Sequence, residues 1–343
     1  IEMSLLVIRT SSMGDVIMTL PLLRSFAVAY PDEELVFVTK KPFDCFVTGI
    51  PGVKVFLSDH HGRHKGFRGL VRVWKDLRAL YHITAVADLH DVIRSKVVRL
   101  LFRLGGCRVA SIDKERIRRR KLVRGRLTGS LTHTVERYRA AFACAGYPLE
   151  LMPGPWMVPS AAGTAMATVL TDGMKRPFLG VAPLAKHTLK TWPAEKMEAM
   201  LRLLTSRKEC TLFLFGSPDE AAKVDEIAAQ VPGAVSMAGK ISLEGEIALI
   251  ACLDLMVAMD SSNMHLAAML GIDTLSIWGA THPRAGFSAW DMPAENQIQI
   301  PDTELTCRPC TIYGKGTCRR GDLACLEWLT PEAVLQKILN KLR

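Results

Sequence analysis

Short apolar runs alternate with helical periodicity along most of this chain. The runs contain few polar residues, which is typical of parallel strands buried on both faces between covering helices. The pattern predicts strands at Leu5–Ile8, Leu35–Val38, Val53–Leu57, Ala85–Leu89, Arg108–Ser111, Phe178–Ala182, Thr211–Phe215, Leu255–Met259 and Thr274–Ile277. It predicts helices at Leu70–Tyr81, Val92–Leu104, Glu195–Leu204, Ala221–Ala229 and Pro331–Leu342, and another that begins at Gly14–Asp15.

A segment dense in proline and glycine interrupts this alternation near the middle of the chain. It spans Tyr147–Trp156, and a new strand series starts at Phe178. Because 343 residues exceed what one core ordinarily serves, two domains are expected. We predict an α/β protein with two doubly wound parallel-sheet domains, residues 1–155 and 156–330, followed by a helix in residues 331–343 that Thr330 caps.

Composition narrows the class of protein. Hydrophobic residues make up 49% of the chain, which is enough for two cores, yet no apolar run reaches the roughly 18 residues that a membrane span requires. The first residues lack the charged-then-apolar pattern of a signal peptide. Five of the nine cysteines are scattered through apolar contexts, which does not describe a secreted disulfide framework. These features predict a soluble, cytoplasmic protein.

The formal charge of +10 is concentrated in one region. Between Arg94 and Arg126 there are thirteen Lys or Arg residues and only two acids, Asp113 and Glu115. Arg94, Lys96 and Arg99 belong to a predicted helix, and Arg116–Lys121 is expected to be a mobile loop. Such a basic region needs a polyanionic partner or surface. Nucleic acid is one candidate, but no RNP motif, zinc finger or helix-turn-helix pattern is present.

The first strand-end loop places an acid at the entrance of a helix. Free N–H groups and the helix dipole favour an anion at such a position, and Asp15 supplies its own negative charge there. Asp15 therefore either caps the helix or is held at the end of the sheet for chemistry.

A second strand-end loop follows Leu255–Met259 and contains an acid, two hydroxyls and a histidine. Asp260 is followed by Ser261 and Ser262, and His265 lies one helical turn further on. Small hydroxyl residues at a helix start allow backbone N–H groups to approach a phosphate and add O–H donors. A capped helix is the alternative interpretation of this loop.

Two further strand-end loops carry charged residues. Lys186 and Lys190 follow Phe178–Ala182, and a lysine there can neutralise a leaving diphosphate without a metal. Asp219 follows the strand at Thr211–Phe215, where an acid can accept hydrogen bonds from ribose hydroxyls or cap a helix. Solvated surface lysines are the alternative for the first loop.

Four closely spaced cysteines lie near the end of the chain. Cys307, Cys310, Cys318 and Cys325 have the spacing C-x2-C-x7-C-x6-C in a loop rich in glycine and arginine. Structural zinc, free thiols and a disulfide formed on isolation are the three interpretations of this cluster.

Taken together, the loop motifs resemble those of glycosyltransferase family 9, the lipopolysaccharide heptosyltransferases. The resemblance lies in SSMGDVIMTLP near the start, K-x-W-P, FGSPDE, DSSNMHLAAMLG and IWGATHP, which occur in the order of the family and cover nearly the whole chain. Where the family usually has Thr-Gly, this chain has Ser261 and Ser262. The resemblance implies the GT-B architecture of two Rossmann-like domains that face a central cleft.

The resemblance also implies roles for individual residues. Asp15 matches the catalytic base of an inverting transferase, and no metal is required for catalysis. The donor-binding residues that the resemblance implies are Lys190, Asp260, Ser261, Ser262 and His265. Asp219 is added as a donor-binding residue from its strand-end position, and the predicted acceptor-binding residues are Ser12, Met13, Gly14, Arg94 and Lys96. The implied partners are an ADP-activated sugar, a lipopolysaccharide core and lipid A acceptor, and the cytoplasmic surface of the inner membrane, where the protein would be peripheral.

Two alternatives stay open at this point. A family 9 enzyme could use a UDP- or GDP-hexose on a core oligosaccharide, and a protein with these sites could bind a nucleotide sugar or a polyanion without turnover. The nucleotide that stabilises the protein most, ADP or else UDP or GDP, distinguishes an ADP-heptose donor from the first alternative. The effect of replacing Asp15 on sugar transfer distinguishes an enzyme from the second.

Overall fold

The computed structural model describes residues 4–342, and every predicted strand is present in it. The strands are β1 (Ser4–Ile8), β2 (Glu34–Thr39), β3 (Val53–Leu57), β4 (Ile83–Asp88), β5 (Arg108–Ser111), β6 (Phe178–Ala182), β7 (Thr211–Leu214), β8 (Ala234–Ser236), β9 (Leu255–Met259), β10 (Thr274–Ile277) and β11 (Gln297–Ile298). The strands β8 and β11 were not predicted, because three and two residues are too few to show a hydrophobic pattern.

Helices fill the intervals between the strands. They are α1 (Met13–Ile17), α2 (Leu20–Ala29), α3 (Gly66–Leu80), α4 (Ile93–Leu104), α5 (Arg116–Val123), α6 (Thr134–Ala145), α7 (Ala161–Thr171), α8 (Ala194–Arg207), α9 (Ala221–Ala229), α10 (Leu243–Ala251), α11 (Ser262–Met269), α12 (Ala324–Glu327) and α13 (Pro331–Lys341). Within the described residues, no helix combines the length and the apolar character that crossing a membrane requires.

The chain forms two compact units. Within the described residues, the first consists of 4–114 and 133–157, and the second of 115–132 and 158–342. This division differs from the predicted boundaries in two respects, because residues 115–132 belong to the second unit and the C-terminal helix is part of that unit.

The first unit contains a parallel sheet in the order β3-β2-β1-β4-β5. In β1, every residue is buried, as expected for a central strand covered on both faces. On one face, apolar side chains of β1, β2 and β4 pack against Leu70, Val73 and Leu77 of α3 and against Val98 and Phe102 of α4. The sheet and its two covering layers of helices form a Rossmann-like unit.

The second unit contains a parallel sheet in the order β11-β10-β9-β6-β7-β8. Its core includes the fully buried Trp192, whose indole N–H donates to the carbonyl oxygen of Leu329 at 3.2 Å. The core also takes in Val334, Leu335 and Ile338 of α13. The predicted cap of this helix is confirmed, because Thr330 Oγ1 accepts a hydrogen bond from the N–H of Ala333 at 3.2 Å.

The expectation that Arg116–Lys121 is a mobile loop was wrong, because these residues lie in helix α5. The helix is anchored on its own small core, in which Leu122 and Leu131 pack with Ala285. The guanidinium of Arg284 also donates to the carbonyl oxygens of Leu127 at 2.8 Å and of Gly129 at 2.7 Å. These contacts explain why residues 115–132 join the second unit. A high density of like charges concealed the sparse apolar positions that hold the helix.

The segment predicted as the interdomain linker is packed against the first unit through residue 157. Trp156 is buried, and its indole N–H donates to the carbonyl oxygen of Met152 at 2.8 Å. The Nε of Arg24 donates in turn to the carbonyl oxygen of Trp156 at 3.1 Å. The proline-rich composition therefore marks a rigid, irregular segment just before the change of unit.

Candidate functional site

Both sheets reverse their strand order at one point. The reversal lies between β1 and β4 in the first unit and between β6 and β9 in the second. Ligands of doubly wound sheets bind outside the carboxyl ends of the strands at such points. The loop of Asp15 follows β1, that of Lys190 follows β6, and that of Asp260 follows β9. The predicted catalytic and donor-binding loops therefore lie where this fold binds ligands.

The Asp15 carboxylate is held through one of its two oxygens. Its Oδ2 lies 2.6 Å from Nη2 of Arg9 and accepts hydrogen bonds from the N–H and Oγ of Ser12 at 3.1 and 2.5 Å. Within residues 4–342, its Oδ1 has no hydrogen-bond partner. Asp15 therefore does cap helix α1, but the capping occupies one oxygen and leaves the other available.

Opposing effects act on the pKa of Asp15. Burial raises the pKa, whereas the Arg9 guanidinium and the hydrogen bonds from Ser12 lower it, and the net result is a pKa below the ordinary value of 3.8. About one-fifth of the side chain is exposed. The group is therefore ionised at neutral pH and accessible from one side.

Buried polar groups surround the Arg9–Asp15 pair. Nη1 of Arg9 donates to the carbonyl oxygen of Leu89 at 2.6 Å, and the hydroxyl of Tyr138 donates to the backbone carbonyl of Asp15 at 3.3 Å. His90 lies 3.1 Å from Oγ1 of Thr10, and burial is the main cause that lowers its pKa to about 3. The histidine is therefore neutral, and the guanidinium of Arg9 is the cation that directly pairs with Asp15.

The predicted acceptor-binding residues occupy different environments. Ser12 is exposed, and Met13 and Gly14 form the first turn of α1. Arg94 is exposed at a narrow cavity that Thr10 and His90 also line. Lys96 Nζ instead lies 3.6 Å from Oδ1 of Asp91, so its charge is already partly compensated.

In the second unit, Lys190 and Asp260 form an ion pair. Lys190 Nζ lies 2.9 Å from Oδ2 of Asp260, and Oγ1 of Thr281 donates to the same oxygen at 2.8 Å. The two charged side chains are 16% and 8% exposed, respectively. The loops after β6, β9 and β10 are thereby joined through one carboxylate oxygen.

The turn after Asp260 begins helix α11. Ser261 is the N-cap residue, and Ser262 is the first helical residue. The Oγ of Ser261 is buried and has no hydrogen-bond partner among the described residues. His265 is buried one turn further along the helix. A hydroxyl and free backbone N–H groups at a helix N-terminus are groups that bind phosphate.

Asp219 lies on an exposed 3-10 turn, Pro218–Glu220, directly after β7. Its neighbour Glu220 caps this turn and accepts hydrogen bonds from the N–H and Oγ of Ser217 at 2.8 and 2.9 Å.

A second acid, Glu246, accepts a hydrogen bond from Nδ2 of Asn263 at 2.8 Å, and burial raises the pKa of Glu246 to about 6.

None of the four clustered cysteines, all within the described residues, forms a disulfide in the structure. Cys325 is buried, whereas Cys307, Cys310 and Cys318 are partly buried. In the part of the chain that the structure describes, no group of three or more His, Cys, Asp or Glu side chains is placed to hold a metal ion. Structural zinc, free thiols and a disulfide formed on isolation all stay predictions, which metal analysis of protein purified under reducing conditions would separate.

Several residues at these sites were missed in the sequence. Arg9 directly follows the apolar run Leu5–Ile8, and nothing in the sequence indicates that its side chain pairs with Asp15. Thr281 was included in the motif IWGATHP but received no role, because its contact with Asp260 spans 21 positions. Glu246 lies in the mostly apolar helix α10, and its charge was the one feature of the sequence that could have marked it.

Comparison with known proteins gives a family match over most of the chain. Residues 70–315 match the model of glycosyltransferase family 9 (heptosyltransferase). The chain is also 27% identical over 327 residues to lipopolysaccharide heptosyltransferase 1 of Pseudomonas aeruginosa, which covers 92% of this chain and 87% of that protein.

Solved structures have the same fold. A family 9 glycosyltransferase from Veillonella parvula superposes with a TM-score of 0.78 at 17% identity, covering 99% of this chain and 97% of that one. The ADP-heptose lipopolysaccharide heptosyltransferase II of E. coli gives a TM-score of 0.70 at 20% identity, covering 99% and 98%. The predicted fold class, GT-B with two Rossmann-like parallel-sheet domains, is confirmed.

We expect the change Arg9→Met to raise the pKa of Asp15, because it removes a cation 2.6 Å from Oδ2 while it keeps the aliphatic stem. In the unchanged protein, Asp15 stays ionised until the pH falls through its lowered pKa. In Arg9→Met, the carboxylate would become protonated at a higher pH. A carbon NMR titration of the carboxyl group measures this. The matched control Arg63→Met removes a cation from Asp76 and should raise the pKa of Asp76 alone. An unchanged titration of Asp15 in Arg9→Met contradicts the assignment.

Proposed function

Because the chain belongs to glycosyltransferase family 9, we propose that it transfers heptose from ADP-heptose to the inner core of lipopolysaccharide. The proposed reaction is a single displacement that inverts the anomeric carbon, with Asp15 as the general base. Support for the donor and the acceptor comes from the similar proteins, which are described as heptosyltransferases of lipopolysaccharide and of ADP-heptose.

One observation carries the assignment of the base. Asp15 lies at the carboxyl end of β1 with Oδ2 fixed by Arg9 and Ser12, and its Oδ1 makes no hydrogen bond within residues 4–342. In the proposed step, Oδ1 takes the proton of an acceptor hydroxyl while that oxygen attacks the anomeric carbon. A general base needs a positioned lone pair within hydrogen-bond reach of the proton. The low pKa keeps the base ionised, so that it is always ready to accept.

The leaving group is stabilised by charges built into the second unit. As the bond between the anomeric carbon and the diphosphate oxygen breaks, negative charge accumulates on ADP. Lys190 and the N-terminal N–H groups of α11 would bind this charge, with Ser261 and Ser262 as hydroxyl donors. Before the donor binds, Asp260 pairs with Lys190 and holds the ammonium in place. The proposed step uses these groups and requires no metal.

The remaining donor and acceptor contacts follow from the strand ends. Asp219 would face the nucleoside from the loop after β7, and His265 would support the phosphate turn from α11. On the acceptor side, Ser12, Met13 and Gly14 lie beside the base, and Arg94 and Lys96 supply positive charge for the acceptor's phosphates and carboxylates.

Helix α5 gives the protein a basic surface that suits a membrane. Its cationic side chains Arg116, Arg118, Arg120 and Lys121 are exposed, as are Arg124 and Arg126 beyond its end. The apolar side chain of Ile117 is also 70% exposed. Basic clusters beside an exposed apolar residue bind anionic lipid surfaces. We therefore place the protein at the cytoplasmic face of the inner membrane, bound peripherally through α5, with no role for nucleic acid.

The change Asp15→Asn tests the base. It preserves the shape of the side chain but leaves Oδ1 a poor proton acceptor, so kcat for heptose transfer should fall by about a thousandfold. The affinity for ADP, measured by calorimetry, should be unchanged. The exposed Asp32→Asn serves as a matched control with full activity. Transfer at the normal rate in Asp15→Asn, measured by mass spectrometry of the product, would exclude Asp15 as the base.

A second test concerns the nucleotide. At equal concentrations, ADP should raise the melting temperature more than UDP or GDP, because binding to the folded state stabilises in proportion to affinity. A preference for UDP or GDP would replace the ADP-heptose donor by another nucleotide sugar. Nucleotide binding without any transfer to truncated core acceptors would favour a binding protein.

The membrane proposal predicts a charge-specific loss of binding. The triple change Arg120→Glu, Lys121→Glu and Arg124→Glu should lower the affinity for vesicles containing phosphatidylglycerol by about a hundredfold, because each cation removed contributes roughly 1 kcal/mol. Co-sedimentation with the vesicles measures this affinity. Vesicles of phosphatidylcholine alone should bind neither form. A control with the same net charge, Arg68→Glu, Lys75→Glu and Lys223→Glu, reverses exposed cations elsewhere. Equal losses in the two triple variants would mean that net charge, rather than α5, determines binding.

A further inference from the structure

The segment from Cys307 to Cys325, here called the cysteine strap, packs against the loops that hold Lys190 and Thr281. Its Arg308 is buried, and the guanidinium donates to the carbonyl oxygens of Gly279 at 2.6 Å, Ile300 at 3.0 Å and Thr281 at 3.1 Å. Since a buried guanidinium needs partners for its N–H groups, Arg308 holds the loop after β10 through Gly279 and Thr281.

A second contact ties the strap to the same loop. The N–H of Cys310 donates to the carbonyl oxygen of Ala280 at 2.9 Å, and the N–H of Ala280 donates to the carbonyl oxygen of Leu189 at 3.0 Å. Leu189 directly precedes Lys190. A continuous set of backbone hydrogen bonds therefore runs from the strap to the lysine.

The closest approach occurs at Gly314. This residue has φ +81°, and a Cβ built on it would lie 2.5 Å from Cγ and 2.6 Å from Cδ of Lys190. These distances are far shorter than van der Waals contact, so any side chain at position 314 must displace the lysine stem. The same Cβ would lie 3.3 Å from Cβ of His187, which limits the room for movement. The bare backbone of the strap thus forms one wall against the stem.

We propose that Gly314 is a positioning residue for Lys190, and that the cysteine strap pre-organises the lysine ammonium for an anionic diphosphate. The role of Lys190 toward the donor rests on the proposed function. A free lysine side chain loses rotamer entropy when it is held in one conformation, and a wall that restricts its stem removes part of this cost before the ligand binds. Asp260 fixes the other end of the side chain through the 2.9 Å ion pair.

The strap offers a matched pair of substitutions. Gly321 has φ +82°, nearly equal to that of Gly314, but a Cβ at Gly321 would meet nothing within 4 Å. The changes Gly314→Ala and Gly321→Ala therefore impose the same backbone strain, and only the first pushes on Lys190. We expect similar losses of melting temperature in the two variants.

Reductive methylation followed by mass spectrometry measures the position of Lys190 without any donor. Its rate at Lys190 should rise several-fold in Gly314→Ala, because the displaced ammonium leaves the ion pair with Asp260, and should stay unchanged in Gly321→Ala. Equal rates in both variants would overturn the positioning role, whatever the donor is.

Binding of ADP gives the functional readout. Gly314→Ala should weaken ADP binding about tenfold and Gly321→Ala should not. In a Lys190→Ala background, Gly314→Ala should add no further loss, because the stem that it displaces is gone. A full additional loss there would overturn the proposal. If methylation changes as expected while Lys190→Ala binds ADP normally, the positioning role stands and the donor role of Lys190 fails.

Discussion

Parallel strands impose the constraint from which the sites of this protein follow. Each strand must be joined to its parallel neighbour by a crossover, so all strands of one sheet end at the same edge. Where the strand order reverses, the crossovers on either side diverge and the loops between them are left with room. Asp15, Lys190 and Asp260 all follow strands that flank such reversals. Three side chains that are far apart in the sequence thereby lie at strand ends of the kind where this fold binds ligands.

Asp15, Asp260 and Glu246 are compensated for loss of water in two different ways. Asp15 and Asp260 each have a cation within 2.9 Å, which offsets the cost of removing a carboxylate from water. Glu246 has an amide partner instead, and burial raises its pKa to about 6. The cation of Asp15 is held by the carbonyl of Leu89, whereas that of Asp260 ends a flexible stem that the cysteine strap supports. The first pair is therefore fixed by the sheet itself and the second by a later segment of the chain.

Much of this arrangement was predictable from the sequence, for identifiable reasons. Buried parallel strands are continuous apolar runs, so β1 and β9 were evident, and the residues that follow them were therefore placed at a sheet edge. What could not be predicted was which side chains meet. Arg9 with Asp15 is a local pair hidden by a strand boundary, and Thr281 with Asp260 depends on the neighbouring positions of β9 and β10. Helix α5 was missed because its dense like charges conceal Leu122, which packs with Leu131 and with Ala285 from a distant part of the chain.

Residues 115–132 belong to the second unit, although the residues on both sides of them belong to the first. This arrangement limits how the chain can be divided into its two units. The chain passes from one unit to the other at 114/115, at 132/133 and again at 157/158. A fragment ending at residue 155 would carry α5 away from Ala285 and would expose Leu122 and Leu131 to water. The complementary fragment would lack the backbone carbonyls that Arg284 binds. The two units are thus distinct in packing but are interleaved along the chain, and no single cut yields both of them whole.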